Sequence, residues 1–89
     1  MRTITRSRLF AKDRERMIKR GFRQNPLILA VTALTKDGRL GMEYRPHKLR
    51  GEYEGYWECH LAPDWLLIYS LSAGSVYLYR TGSHSDLFE

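Results

Sequence analysis

Five side chains in the second half of this 89-residue chain are of the types that move protons and hold phosphate: His47, His60, Asp64, Arg80 and His84. Together they fit RNA cleavage without a metal. That reaction needs a base to take the 2′-hydroxyl proton, an acid to protonate the leaving 5′-oxygen, and donors around the phosphate as charge builds up. Imidazole, with an ordinary pKa near ~6.5, can serve as either base or acid at neutral pH. Asp64 is a further base or an orienter. Arg80 suits the phosphate because its planar fork can bind two oxygens at once. Trp65, Tyr56 and Phe88 are aromatic faces on which unpaired bases could stack.

Each assignment has a plainer competitor. His47 sits in a loop and could be an ordinary surface residue. His60 could cap a sheet face, Asp64 in "APDW" could be a turn residue, and Trp65 alone would belong to a core. His60 and Asp64 are four residues apart, a metal-binding spacing on a helix, but "HLAPD" contains a proline and reads as a strand end. No metal and no cofactor is expected.

These residues must be positioned by elements that the pattern predicts. "RTIT" (Arg2 to Thr5) alternates as a short first strand. From Ser7, Phe10, Met17 and Ile18 recur at helical spacing and "RG" at 20–21 offers a glycine cap. Arg8, Lys12, Arg16, Lys19 and Arg20 gather on the opposite side of this helix. "NP" at 25–26 offers an Asn N-cap and a first-turn proline. Leu27, Ile28, Val31 and Leu34 follow with helical period, and "KDG" at 36–38 ends the second helix. Residues 38–55 show no sustained period. Three strand-like runs follow at 56–61, 65–71 and 76–82, then "SHSDLF" as a turn and one short helical turn.

Alternation in "YWECHL" places His60 with Glu58 and Tyr56, away from Trp57, Cys59 and Leu61. Arg80 shares strand parity with Val76 and Leu78. Either that face is the cleft side, or a bulge intervenes. The fold expected is a single α+β domain over 1–89, ordered β-α-α-β-β-β. Its small, mainly antiparallel sheet has one face covered by a helical hairpin and the other open for a cleft.

Charge is unevenly distributed. Residues 1–50 hold 14 Lys and Arg against 4 Asp and Glu, whereas residues 51–89 hold 1 against 6. The basic half would attract a polyanion, although a solvated helix face or an acidic protein partner fits the charge as well. A lone cysteine, Cys59, cannot form an internal disulfide, and a cytoplasmic location with no membrane contact is expected.

The stretches "HKLRGEYEGYWECHLAPDWLLIYSL" (47–71) and "YRTGSHSDLF" (79–88) resemble the RelE/ParE toxin superfamily, specifically its YafQ-like branch. The matching pattern is H-x-L-x-G, then H-x-x-x-D-W-x-L-x-Y, then R-x-G-S-H-x-x-L-F, in order and at matching intervals. The resemblance implies a RelE-like microbial RNase fold. It also implies a type II toxin that cuts messenger RNA in the ribosomal A site of the 70S ribosome and is held inactive by a cognate antitoxin, the complex binding operator DNA. It places His47 and His84 at catalytic histidine positions, His60 and Asp64 at the strand end, Arg80 at the phosphate contact, and Trp65 and Phe88 at aromatic positions. This chain departs from the pattern with Pro46 before His47, where relatives often carry an acidic residue, so the group orienting that imidazole differs. Lys48 and Arg50 make the following link more basic and add phosphate-contact candidates. Alternatives are a non-catalytic poison of an enzyme such as gyrase, and a ribosome- or RNA-binding module. The pattern also implies that Leu87 and Phe88 pin the tail, so that deleting Leu87 to Glu89 impairs cleavage more than folding.

Overall fold

A computed structural model of the chain describes residues 1–88; Glu89 lies outside the described residues. The first strand, β1 (Thr3–Arg6), leads into α1 (Arg8–Lys19) and α2 (Asn25–Asp37). A two-residue strand, β2 (His47–Lys48), precedes β3 (Trp57–Ala62), β4 (Trp65–Leu71) and β5 (Ser75–Gly82), and the chain ends in α3 (His84–Phe88). The sheet order is β1-β5-β4-β3-β2. β1 runs parallel to β5, and the other pairs are antiparallel. The α+β class and the helical hairpin are as expected. β2 is an addition, too short to show a period and placed directly after Pro46.

Local chemistry explains the boundaries. Ser7 caps α1 by accepting from the Phe10 N–H at 3.0 Å. Asn25 is the first residue of α2 rather than its cap; Gln24 holds the cap position with no side-chain capping bond. Gly38 ends α2 in the left-handed conformation at φ 70°, donating its N–H to Leu34 O.

The helices bury one sheet face. Phe10, Met17, Leu27, Val31 and Leu34 pack with Cys59, Trp65, Leu67, Tyr69, Val76 and Leu78. Ile18 and Ile28, expected on the inner stripes, are exposed instead. In α1 the inner positions are Phe10, Asp13 and Met17, so a carboxylate occupies a stripe position. Burial pushes the Cys59 thiol up to about 12, which leaves it un-ionised at neutral pH.

The second face is less open than expected. Leu66, Ile68 and Leu87 form a small cluster there, flanked by Leu49, Tyr53, Tyr56 and Tyr79. Helix α3 and the 49–56 segment roof its centre. Candidate chemistry is therefore confined to the margins of this patch.

Candidate active site

The sheet register shows which side chains share a face, because directly paired residues on neighbouring strands point the same way. His47 pairs with Glu58, Glu58 with Ile68, and Ile68 with Arg80. One row across the sheet therefore reads His47–Glu58–Ile68–Arg80. The next row reads His60–Leu66–Gly82, with His84 just beyond. Arg80 reaches this face because the register slips between Ile68–Arg80 and Tyr69–Leu78, leaving Tyr79 as the extra residue of a bulge. Leu78 and Arg80 thus lie on opposite faces despite their spacing of two.

Three imidazoles line up along one margin. The His47 and His60 ring centres are 6.4 Å apart, and those of His60 and His84 are 6.0 Å apart. Asp64, in the β3–β4 turn, accepts from the His84 backbone N–H at 3.1 Å and its Nδ1–H at 2.9 Å. Those two bonds hold the Asp64 carboxyl below its ordinary range. They also fix the His84 ring so that Nε2 is its free nitrogen. Asp64 is therefore engaged with His84 through both bonds.

Two residues beyond those singled out from sequence complete the margin. Glu58, buried to 6% exposure, points Oε1 at His47 Nε2 (3.2 Å) and at His60 Nε2 (3.8 Å). It supplies the acidic partner for His47 that Pro46 does not. The signal was its spacing of two from His60 on one strand. Arg45 is the other. Its backbone is left-handed at φ 47°, a conformation that costs a residue with a Cβ roughly 1–2 kcal/mol. Its carbonyl accepts from His47 Nδ1, and its Nη2 donates to His60 Nδ1 at 3.3 Å. No periodicity signals such a residue.

Matching donors to acceptors fixes the proton positions. Both His47 nitrogens face acceptors, Nδ1 the Arg45 carbonyl and Nε2 the Glu58 carboxylate. His60 Nδ1 faces a guanidinium, which only donates, so His60 is neutral with its proton on Nε2, toward Glu58. Burial first, then Arg45, push His60 below the ordinary imidazole value of 6.5. The folded state then binds fewer protons than the unfolded state just below that pH, so stability falls as pH drops from 6.5 toward the lower folded value. Melting temperatures measured from pH 7 to 5 should show this decline, flattened in His60→Gln.

The tail is clamped at both ends of its turn. Ser83 and Asp86 cap each other, with Ser83 N–H donating to Asp86 Oδ2 at 2.9 Å and Asp86 N–H to Ser83 Oγ at 3.1 Å. Arg20, which caps the C-terminus of α1, grips the same carboxylate at 2.7 and 3.1 Å and, with the Ser83 bonds, holds it far below the usual carboxylate range. A side chain on Gly82, at φ 155°, would place its Cβ 2.9 Å from Asp86 Cβ. Part of the basic stripe of α1 is thus committed within the fold. Asp86→Asn should lower stability by about 1–2 kcal/mol yet lower cleavage on the order of 10-fold, because His84 sits in this turn. Parallel melting and cleavage assays check the imbalance.

The remaining expectations separate. Trp65 is not a stacking surface: it is 1% exposed, packs edge-on against Phe22 at 5.3 Å and donates Nε1–H to Thr81 Oγ1 at 2.8 Å. Its place in the central strand, facing the helices, puts it in the core. Lys48 pairs with Trp57 and lies over its ring at 5.6 Å, on the face away from the histidines. Arg50 and Phe88 line a cavity of about 450 Å³ with Leu49, Glu52, Tyr53 and Leu87. Phe88 is 43% exposed and meets Tyr53 edge-on at 5.7 Å. Leu87 covers Leu66 and Ile68, so deleting Leu87 to Glu89 would unroof that cluster and disturb folding as well as the site. Among the described residues no group of three His, Cys, Asp or Glu side chains is placed to hold one ion, and no helix is long and apolar enough to cross a membrane.

This α+β frame, with imidazoles strung along one sheet margin and a clamped C-terminal turn, is that of a bacterial toxin from a type II toxin–antitoxin system. The family model for such toxins, described as "Bacterial toxin of type II toxin-antitoxin system, YafQ", matches residues 2–89. The chain belongs to the YafQ family. It is 36% identical over 88 residues to the mRNA interferase toxin YafQ of Escherichia coli K12, covering 98% of this chain and 96% of that protein. The crystal structure of YafQ from E. coli strain BL21(DE3) matches with a TM-score of 0.92 at 34% identity over 100% of both chains. YafQ in the E. coli DinJ–YafQ complex gives 0.90 at 36%, again over 100% of both chains. A metal-bound toxin from Helicobacter pylori gives 0.89 at 39%, covering 99% of this chain and 100% of that one.

Proposed function

We propose that this chain is an mRNA interferase, the toxin of a pair whose antitoxin holds it inactive, and that it cuts messenger RNA at the ribosomal A site without a metal. The observation that carries this reading is the line of His47, His60 and His84, two of them braced by carboxylates, on the sheet face that also bears Arg80. Its relatives of 36% identity are named mRNA interferases, and one is solved in complex with DinJ.

In the mechanism, the RNA 2′-oxygen attacks the adjacent phosphorus while the bond to the 5′-oxygen breaks, leaving a 2′,3′-cyclic phosphate. His84 protonates the departing 5′-oxygen from Nε2; Asp64 holds its Nδ1 edge and stabilises the charged ring. His47, held against Glu58, takes the 2′-hydroxyl proton as general base. Neutral His60 sits between them and orients. Arg80 binds the phosphate oxygens as charge grows.

The test incubates purified protein with messenger RNA and chelator, with and without 70S ribosomes, and identifies the new 3′ ends. Cyclic phosphate ends formed in chelator support the reading, and their dependence on ribosomes decides the A-site reading. Intact message with a DNA-damage response in expressing cells would establish an enzyme poison instead. Intact message with salt-sensitive ribosome binding would establish a binding module.

A further inference from the structure

Helix α1 carries a carboxylate where its period calls for an apolar side chain. Asp13 stands between Phe10 and Met17 on the inner stripe and is 1% exposed. A carboxylate is tolerated there only if it is paired and hydrogen-bonded. Its partners converge on two consecutive residues of β5. Oδ2 accepts from Arg80 Nε at 2.7 Å and from the Thr81 backbone N–H at 3.2 Å, and Oδ1 accepts from Arg80 Nη2 at 3.1 Å. Arg16 Nη1 adds a longer contact at 3.4 Å.

The place where this happens matters. β1 pairs with β5 only as far as Leu78, so beyond the Tyr79 bulge that edge of β5 is free, and Asp13 supplies the bond to Thr81 N–H. From the other side, Thr81 Oγ1 donates to Leu66 O at 2.6 Å and receives the Trp65 indole N–H. The strand end is therefore fixed from both sides. Backbone fixing does not require a bidentate grip on a guanidinium, however. That grip holds the Nε edge of Arg80 and leaves Nη1 and the outer Nη2 hydrogen as a planar fork. It also compensates the charge, so that Arg80 serves as an aimed donor rather than as a free cation.

We propose that Asp13 is the positioning residue of Arg80, holding one edge of the guanidinium so that the other is preset for the phosphate under attack. Asp13 itself touches no RNA. The proposal rests on the phosphate-binding reading of Arg80 given above. A preset fork lowers the reorganisation needed in the transition state, so its loss appears in kcat and leaves KM nearly unchanged.

The test is a double-mutant cycle on the full chain: wild type, Asp13→Asn, Arg80→Ala and the double variant, each with cleavage kinetics and a melting curve. Arg80→Ala should lower kcat roughly 10²–10³-fold, and Asp13→Asn on the order of 10²-fold at unchanged KM. The double variant should match Arg80→Ala alone, because the amide of Asp13→Asn still offers an oxygen to the Thr81 N–H and what remains of the effect of Asp13 on rate runs through Arg80. Arg80→Lys should not restore the rate, since an ammonium has no fork. Asp13→Asn at the wild-type rate, or multiplicative losses in the double variant, would overturn the proposal while Arg80 keeps its assignment. Arg80→Ala at the wild-type rate would instead remove the phosphate reading of Arg80, and Asp13 with it. Should Asp13→Asn not fold, Asp13→Glu, which keeps the charge but displaces the guanidinium by a methylene, enters the same cycle with the same outcomes.

Discussion

Replacing His84 with alanine will lower RNA cleavage by roughly 10²–10⁴-fold and leave the melting temperature close to that of the wild type. The side chain is 57% exposed and its hydrogen bond goes to an equally exposed Asp64, so little packing is lost with it. The loss is chemical: the 5′-oxygen leaves as an alkoxide unless a proton reaches it. Asp64→Asn should cost less, because it removes the orienting charge and leaves the imidazole in place. Transcript-end mapping in cells expressing each form, together with purified-protein kinetics, checks both. Equal cleavage by wild type and His84→Ala would remove His84 from the mechanism.

Trp65→Ala should act on the opposite property. Truncating a fully buried indole costs about 3–5 kcal/mol. It also deprives Thr81 Oγ1 of a donor and Phe22 of its edge-on neighbour. For a domain of this size each kcal/mol shifts the melting temperature by roughly 4–8 °C, so the variant should be largely unfolded at 37 °C. Trp65→Phe should keep most of the packing and, where folded, cleave at close to the wild-type rate. Had Trp65 been a base-stacking surface, the alanine variant would melt normally and bind RNA weakly. Thermal melts of the two variants separate these cases.

The contrast shows where sequence reading succeeds. Strands β3 to β5 were legible because "WECHL", "WLLIYSL" and "VYLYRTG" alternate or run apolar between turn residues. The grouping of His60 with Glu58 followed from strand parity alone, although Glu58 was not recognised as the brace of His47. Other features depend on tertiary contact. Two residues of β2 show no period, and the bulge at Tyr79 depends on a register set by β4. Trp65 carries the same letter whether it faces a core or a groove; only the covering helices decide it. Asp13 left a local trace, a carboxylate in line with Phe10 and Met17, but its partner lies at position 80. Arg45 owes its place to a backbone conformation that its residue type disfavours.

The parallel pairing of β1 with β5 bears on how the toxin comes into being. Ser7 bonds to Tyr79 across 72 residues of chain, whereas β3, β4 and β5 form by successive local hairpins. Closing so long a loop is entropically unfavourable and slow, so β1 and α1 should join after the meander has formed. Arg80 takes its grip from α1, through Asp13, and Arg20 at the end of that helix adds to the hold that Asp64 has on the turn carrying His84. A chain that has made only the meander therefore lacks the grip on Arg80 and part of the hold on the C-terminal turn, although Glu58 and Asp64 already belong to it. During refolding, cleavage should return with the slowest phase rather than with the first burial of Trp65. Full activity of this toxin should then depend on the last long-range contact to form.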